Sequence, residues 1–297
     1  MKKMLIYLMI LICLIGGSVY AGEVETKNLN LESSIDIVLE QNLDLDIAKM
    51  DLEIAQLEYQ KKKASNLSSQ SDYNELEAEY SLASARNAYE NVYNNLVQQV
   101  IDQYTKVWLQ KFDLIIKEKN VNLEKRLLKE ARAQREIGDI GSIELLEQEN
   151  AYNDAQFNLE TARDNYDQNL KDLKNILGIE ETQLKLADLK IPEVWEITEK
   201  EALNKALENS IELKLQTEKL KLAELDLKRA KVSSPELDIQ IKEKQLKKAH
   251  LNKDNKREEI EDNIQEKYFQ FKQSIKKMKL NKERLYEAEQ KYGLKQE

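Results

Sequence analysis

Few residues in this chain could do covalent chemistry, and they lie far apart. The one histidine, His250, sits among Lys247, Lys248 and Lys253. Acid–base catalysis needs a second group within hydrogen-bond reach of the imidazole, and nothing in its neighbourhood suggests one. A zinc site needs several Cys or His ligands. The only cysteine, Cys13, lies in the apolar N-terminal segment. There is no glycine-rich phosphate loop and no nucleophile elbow. The 55 carboxylates are interleaved with 46 Lys and Arg, as solvated helix faces and i,i+4 pairs are. The sequence therefore predicts no catalytic residue, no cofactor, no metal site and no enzyme.

Composition narrows the class further. Charged residues make up 34% of the 297, while Gly and Pro together number nine (7 + 2). That leaves little turn chemistry for a compact fold of many elements. Lys2 and Lys3, the apolar run Met4 to Ile15 and Val19-Tyr20-Ala21 read as a signal peptide over 1–21, cleaved before Gly22. Removing it takes the net charge from −9 to −11 (44 basic against 55 acidic), a poor balance for nucleic acid. No later segment is apolar enough for a membrane helix. An exported, all-α protein with an elongated shape is expected.

The rare breakers divide the chain. A first helix is expected from about Leu31 to Ala64, with Asn30, Glu32 and Ser33 at its start, and a polar loop from Ser65 to Ser71. A very long helix follows, from about Asp72 to Glu136; at 1.5 Å per residue it spans roughly 100 Å. Gly138 and Gly141 make a tight reversal into a helix from Ser142 to Leu177, stopped by Gly178. A linker with Pro192 and Trp195 leads to a helix from Thr198 to Val232. After Ser233-Ser234-Pro235 a last helix runs from Glu236 to Tyr292. Trp108 is expected in the long helix's core seam, and Trp195 to tuck the linker against the helices.

The order repeats. Glu40 to Lys63 matches Glu208 to Lys231 at a constant offset of 168, with Leu43, Leu45, Ile47, Leu52, Ile54, Ala55 and Leu57 meeting Ile211, Leu213, Leu215, Leu220, Leu222, Ala223 and Leu225. An internal duplication follows, with a first repeat over 22–192 and a second over 193–297. Both copies carry two opposed apolar stripes. Leu43, Ile47, Met50, Ile54 and Leu57 fall on one side, and Leu45, Leu52 and Tyr59 nearly opposite. Such a helix needs a neighbour on each side, as in a wall of helices. The long helix adds a heptad ladder, Val100, Val107, Leu114, Val121 and Leu128, beside Ile101, Trp108 and Ile115.

These features resemble the TolC-like outer-membrane efflux family. Leu29 to Gln60 is similar to that family's first helix. Ala131, Arg135, Gly138, Ser142, Glu144, Leu145 and Leu146 follow its pattern at the first reversal. Tyr152, Ala155, Ala162, Tyr166, Leu170, Leu173, Leu177 and Gly178 follow it along the return helix. The resemblance implies long antiparallel helical hairpins of the TolC α-barrel kind. It implies a homo-oligomer, a trimer in the family, in the outer membrane. It further implies a periplasmic adaptor protein and an inner-membrane pump as partners, for efflux or type I secretion. The tip formed by Gly138, Ile140, Gly141, Ser142, Leu145 and Leu146 becomes the candidate adaptor contact.

The chain departs from that pattern in three places. The family's barrel strands would stand where only Ala64 to Asn74 and Val232 to Glu236 are found. A membrane strand needs roughly 9–11 residues, so no β-barrel is expected. The sequence stops at Glu297, where a second return helix would begin. Gln148 and Glu149 replace the family's usual Ala-Gln. A barrel-less periplasmic scaffold that binds the adaptor, or a truncated gene product, are therefore the competing readings.

Overall fold

The computed structural model describes residues 26–69, 71–179, 183–189 and 193–294; the expected signal peptide, Cys13 and Pro192 lie outside them. The chain is almost wholly helical: α1 (Leu31–Gln41), α2 (Leu43–Ser69), α3 (Asp72–Glu136), α4 (Ser142–Leu177), α5 (Glu199–Asn209), α6 (Ile211–Ser233) and α7 (Glu236–Leu294). The all-α expectation holds, with one small addition to the helices. Two short strands, β1 (Thr26–Leu29) and β2 (Gln183–Leu186), pair in parallel, Thr26 with Gln183 through Leu29 with Leu186. Four residues each, joined only across the chain, leave no local periodicity to detect. Among the described residues these are the only strands, and the described residues of both stretches where barrel strands were missed are helix ends and breaks.

The first helix is two helices. Asn42 Oδ1 accepts the Leu45 N–H at 2.9 Å and caps α2. Ser210 Oγ accepts the Leu213 N–H at 3.0 Å and caps α6. A short polar side chain offers the backbone a local alternative to the helical ladder, and it splits each expected helix at positions 168 apart. The caps one helix earlier repeat at the same offset. Asn30 Oδ1 accepts from Ser33 N at 2.7 Å. Thr198 and Glu201 form a reciprocal capping box, whose bonds hold the Glu201 carboxyl below its usual pKa. α1 and α5, each 11 residues long, begin and end 168 residues apart. The duplication thus extends to the capping chemistry.

The loop expected from Ser65 is also shorter. α2 runs on to Ser69, and the Asn66 side-chain amide bonds both ways with the Ser71 backbone, at 2.9 and 3.0 Å. The Ser233–Pro235 break stands where expected, with Ser234 N–H donating to Ala230 O at 2.9 Å.

Two compact units form. One contains α1, the strands, α4 and the second half of α3. At its centre Val100, Tyr104, Val107 and Leu173 are fully buried, with Leu177 beside them. Tyr104 carries the strands: its hydroxyl lies 2.8 Å from Ala187 O and 3.1 Å from Leu29 O, so one proton serves two carbonyls. Burial, and secondarily the Asp188 charge, push its pKa above 10.

The other unit contains α2, the first half of α3, and α5 to α7, with α5 and α6 packed along α7. Here Arg229 lies 4.3 Å over the Tyr73 ring and donates to Ser71 Oγ at 3.0 Å. Lys242 pairs with Asp226 at 2.7 Å. One side chain of α6 thereby pins the start of α3, and the two helix breaks sit together. The linker expectation fails at Trp195, which is 61% exposed, with the Lys205 ammonium 5.9 Å over its ring. Trp108 is half-buried, edge-on to Phe112 at 4.7 Å.

Tyr104→Phe should lower stability by about 1–3 kcal/mol, the cost of orphaning a buried carbonyl, read by urea denaturation at pH 7. The gap should narrow above pH 10. There the phenol of the unfolded chain ionises first, and the tyrosine's contribution is lost as pH rises through its folded pKa.

Candidate functional site

The six residues singled out at the reversal lie together in sequence: Gly138, Ile140 and Gly141 in the turn between α3 and α4, and Ser142, Leu145 and Leu146 in the first turns of α4. The turn is closed by main-chain bonds. Gly138 N–H donates to Arg135 O at 3.2 Å and Asp139 N–H to Gln134 O at 2.9 Å, the two bonds of a Schellman ending. Gly138 supplies the left-handed conformation this requires, with φ +84°. Arg135 Nη1 donates to Ile140 O at 3.2 Å and holds the loop's far side. Gly141 is the N-cap of α4, with no side-chain bond to the helix, and Leu145 N–H reaches back to its carbonyl. Arg135 in the last turn of α3 and Glu144 in the first turn of α4 both suit the helix dipoles.

The side chains divide into two sets. Ile140 and Leu145 are half-buried and hold the turn to the helices. Gly138, Gly141, Ser142 and Leu146 face solvent, and Leu146 is 56% exposed. Ile137 and Ile143, absent from the sequence candidates, are the most exposed apolar residues of the tip, at 75% and 71%. Each neighbours a tip loop residue and lies off the heptad ladder, which is the signal that could have flagged them. Ile137, Ile143 and Leu146 give the tip an apolar surface of the kind that marks a contact site.

Above the tip, α3 and α4 are bound by polar groups. Arg132 Nη2 meets Glu149 Oε1 at 3.1 Å. Gln148 Nε2 donates to Glu124 Oε2 at 2.8 Å. These are the two positions at which the sequence leaves the family's usual residues, and here they clamp the hairpin. Beside them lies an open groove of about 590 Å³, with Lys125, Lys129 and Arg132 on one wall and Glu149 and Tyr152 on the other.

His250 is exposed on α7. Among the described residues no cluster of metal-ligating side chains occurs, and no helix is long and apolar enough to cross a membrane. What the site presents is an apolar-tipped helical hairpin whose turn is closed by main-chain hydrogen bonds.

Comparison with known proteins fits such a hairpin. Residues 68–179 match the outer membrane efflux protein family. No curated protein sequence matches. Two solved structures share the fold at 14% identity. One is a membrane protein from Pseudomonas aeruginosa, with a TM-score of 0.56, covering 80% of this chain and 73% of that one. The other is CusC, from structures concerned with folding and transmembrane channel formation, with a TM-score of 0.53, covering 80% and 72%.

Gly138→Ala should cost about 1–2 kcal/mol, because alanine resists the left-handed backbone although nothing crowds its Cβ. At Gly141 an added methyl meets only the mobile carboxylate of Glu144, so Gly141→Ala should change stability by no more than about 0.5 kcal/mol. Thermal unfolding of the two variants checks the contrast. The matched stretch contains the whole α3–α4 hairpin with its tip: residues 68–179 are similar to the outer membrane efflux protein family, in a chain with the helical fold of these two solved proteins.

Proposed function

We propose that the protein is a component of an envelope efflux or type I secretion conduit, working as a homo-oligomer of helical walls, a trimer by family resemblance. The observation that carries this reading is the unequal cover of the duplicated helix. On α6, Ile211, Leu215, Leu222 and Leu225 are half-buried. On α2 their counterparts Leu43, Ile47, Ile54 and Leu57, together with Met50, are 54–74% exposed, while Leu45 opposite them is buried. The same stripe is thus partly covered in one repeat and bare in the other. Burying each such side chain is worth about 1.5–3 kcal/mol, and a second copy supplies the missing neighbour.

In this reading the chain has two repeats, 22–192 and 193–297. It is exported and held at the outer membrane, and it conducts solutes passively through its lumen. The tip, with Gly138, Ile140, Gly141, Ser142, Leu145 and Leu146, and with Ile137 and Ile143 added, faces a periplasmic adaptor that links it to an inner-membrane pump. A second reading, a barrel-less periplasmic scaffold, draws on one specific observation. Among the described residues, the breaks between α2 and α3 and between α6 and α7 hold no strands, and Arg229 reaches Tyr73 and Ser71 there.

Fractionation and light scattering separate the two. The conduit reading expects an oligomer in the outer-membrane fraction, and a double replacement, Ile47→Glu with Ile54→Glu, that yields monomers of unchanged helicity. A wild-type protein that is monomeric and soluble in the periplasm would sink it.

A further inference from the structure

We infer that Gln103, Asn169, Glu124 and Gln148 are positioning residues that fix the register of the α3–α4 hairpin and so decide where its tip falls. The apolar ladder of α3 cannot do this by itself. Val100, Val107, Leu114, Val121 and Leu128 repeat every seven residues, so sliding one helix by a heptad replaces each ladder residue with a near-equivalent. Such a slide moves the helix by roughly 10 Å.

The column three residues on from the ladder is different in kind. It reads Gln103, Gln110, Lys117, Glu124 and Ala131 on α3. The column from α4 reads Asn169, Ala162, Ala155 and Gln148, of which Asn169, Ala162 and Ala155 are buried. Two layers join a polar residue to a polar residue. Gln103 Nε2 donates to Asn169 O at 2.8 Å and lies 3.4 Å from Asn169 Oδ1, and Asn169 Nδ2 donates to Asn165 O at 2.7 Å. Gln148 Nε2 donates to Glu124 Oε2 at 2.8 Å.

The layers are 21 residues apart on both helices, 103 to 124 and 148 to 169, so both belong to one register. Slide α4 one heptad one way and Gln110 meets Asn169, but Glu124 meets Ala155. Slide it the other way and Lys117 meets Gln148, but Asn169 meets Leu96. Only the observed register forms both layers.

Gln110 shows that the layers, not the column as a whole, make the choice. The observed register sets it against Ala162, and its buried Oε1 has no hydrogen-bond partner. The hairpin accepts that loss and keeps the two matched layers. A buried polar pair that specifies register at some expense of stability is the best-attested use of such groups in helical coils.

Disulfide trapping tests this in the full chain with Cys13→Ser. Lys117→Cys with Ala155→Cys reports the observed register, and Lys117→Cys with Ala162→Cys the slipped one. With both layers intact, the first pair should cross-link faster by roughly tenfold, the ratio that loss of two part-buried polar pairs implies. With all four positioning residues replaced by Leu, the two rates should converge, whether or not the unfolding midpoint falls. An unchanged ratio in that variant, with its helicity retained, overturns the inference. If the fourfold variant loses its helices, the single-layer variants Gln103→Leu/Asn169→Leu and Glu124→Leu/Gln148→Leu are read instead. Each should narrow the ratio, and an unchanged ratio in both overturns the inference equally.

Discussion

A helix as long as α3, 65 residues, depends on what covers it. Helical hydrogen bonds alone leave isolated helices marginal in water, and most helical stability in proteins comes from an apolar face packed on something else. The Val100-to-Leu128 ladder is that face. It begins in the buried cluster around Tyr104, where the hydroxyl ties two strand-end carbonyls to the helix, and is half-buried or buried down to Leu128. The tight reversal at Gly138 returns the chain as α4 without a long loop. A helical hairpin with a small apolar tip follows from these few constraints.

Much of this was legible from residue order because it is periodic or punctuated. The two ends of α3 and the stop at Gly178 came from breakers, and the structure places them there; the offset of 168 came from the repeated pattern, and the helix starts of α1 and α5 stand at that same spacing. The errors share a cause. Asn42 and Ser210 look like ordinary polar residues within helical patterns, and only the cap geometry shows them as breaks. β1 and β2 are four residues each and exist because they pair across the chain. Trp195 follows a proline and was expected to pack, yet its ring lies under a lysine ammonium near solvent. In the tip, glycines announced the turn, whereas Ile137 and Ile143 carried only the weaker signal of apolar residues off the heptad ladder beside it, and their exposure made them plain.

The departures from the family pattern have physical content. Gln148 and Glu149 bind α4 to α3 through Glu124 and Arg132. The missing strands leave a finished helical end, in which Arg229 stacks on Tyr73 and the lysines nearby are paired, Lys242 with Asp226 and Lys231 with Glu243. The bare stripe of α2 is unlike either. Nothing in its own sequence sets it apart from the half-covered stripe of α6, and the difference lies wholly in what packs against it.

That bare stripe is where the account is most exposed to test, since a wall of helices becomes a conduit only when copies close around a lumen. Electron micrographs of the purified protein decide it most directly. Rings with a central opening are the predicted result. Single rods at every concentration, with no ring formed, would contradict the account.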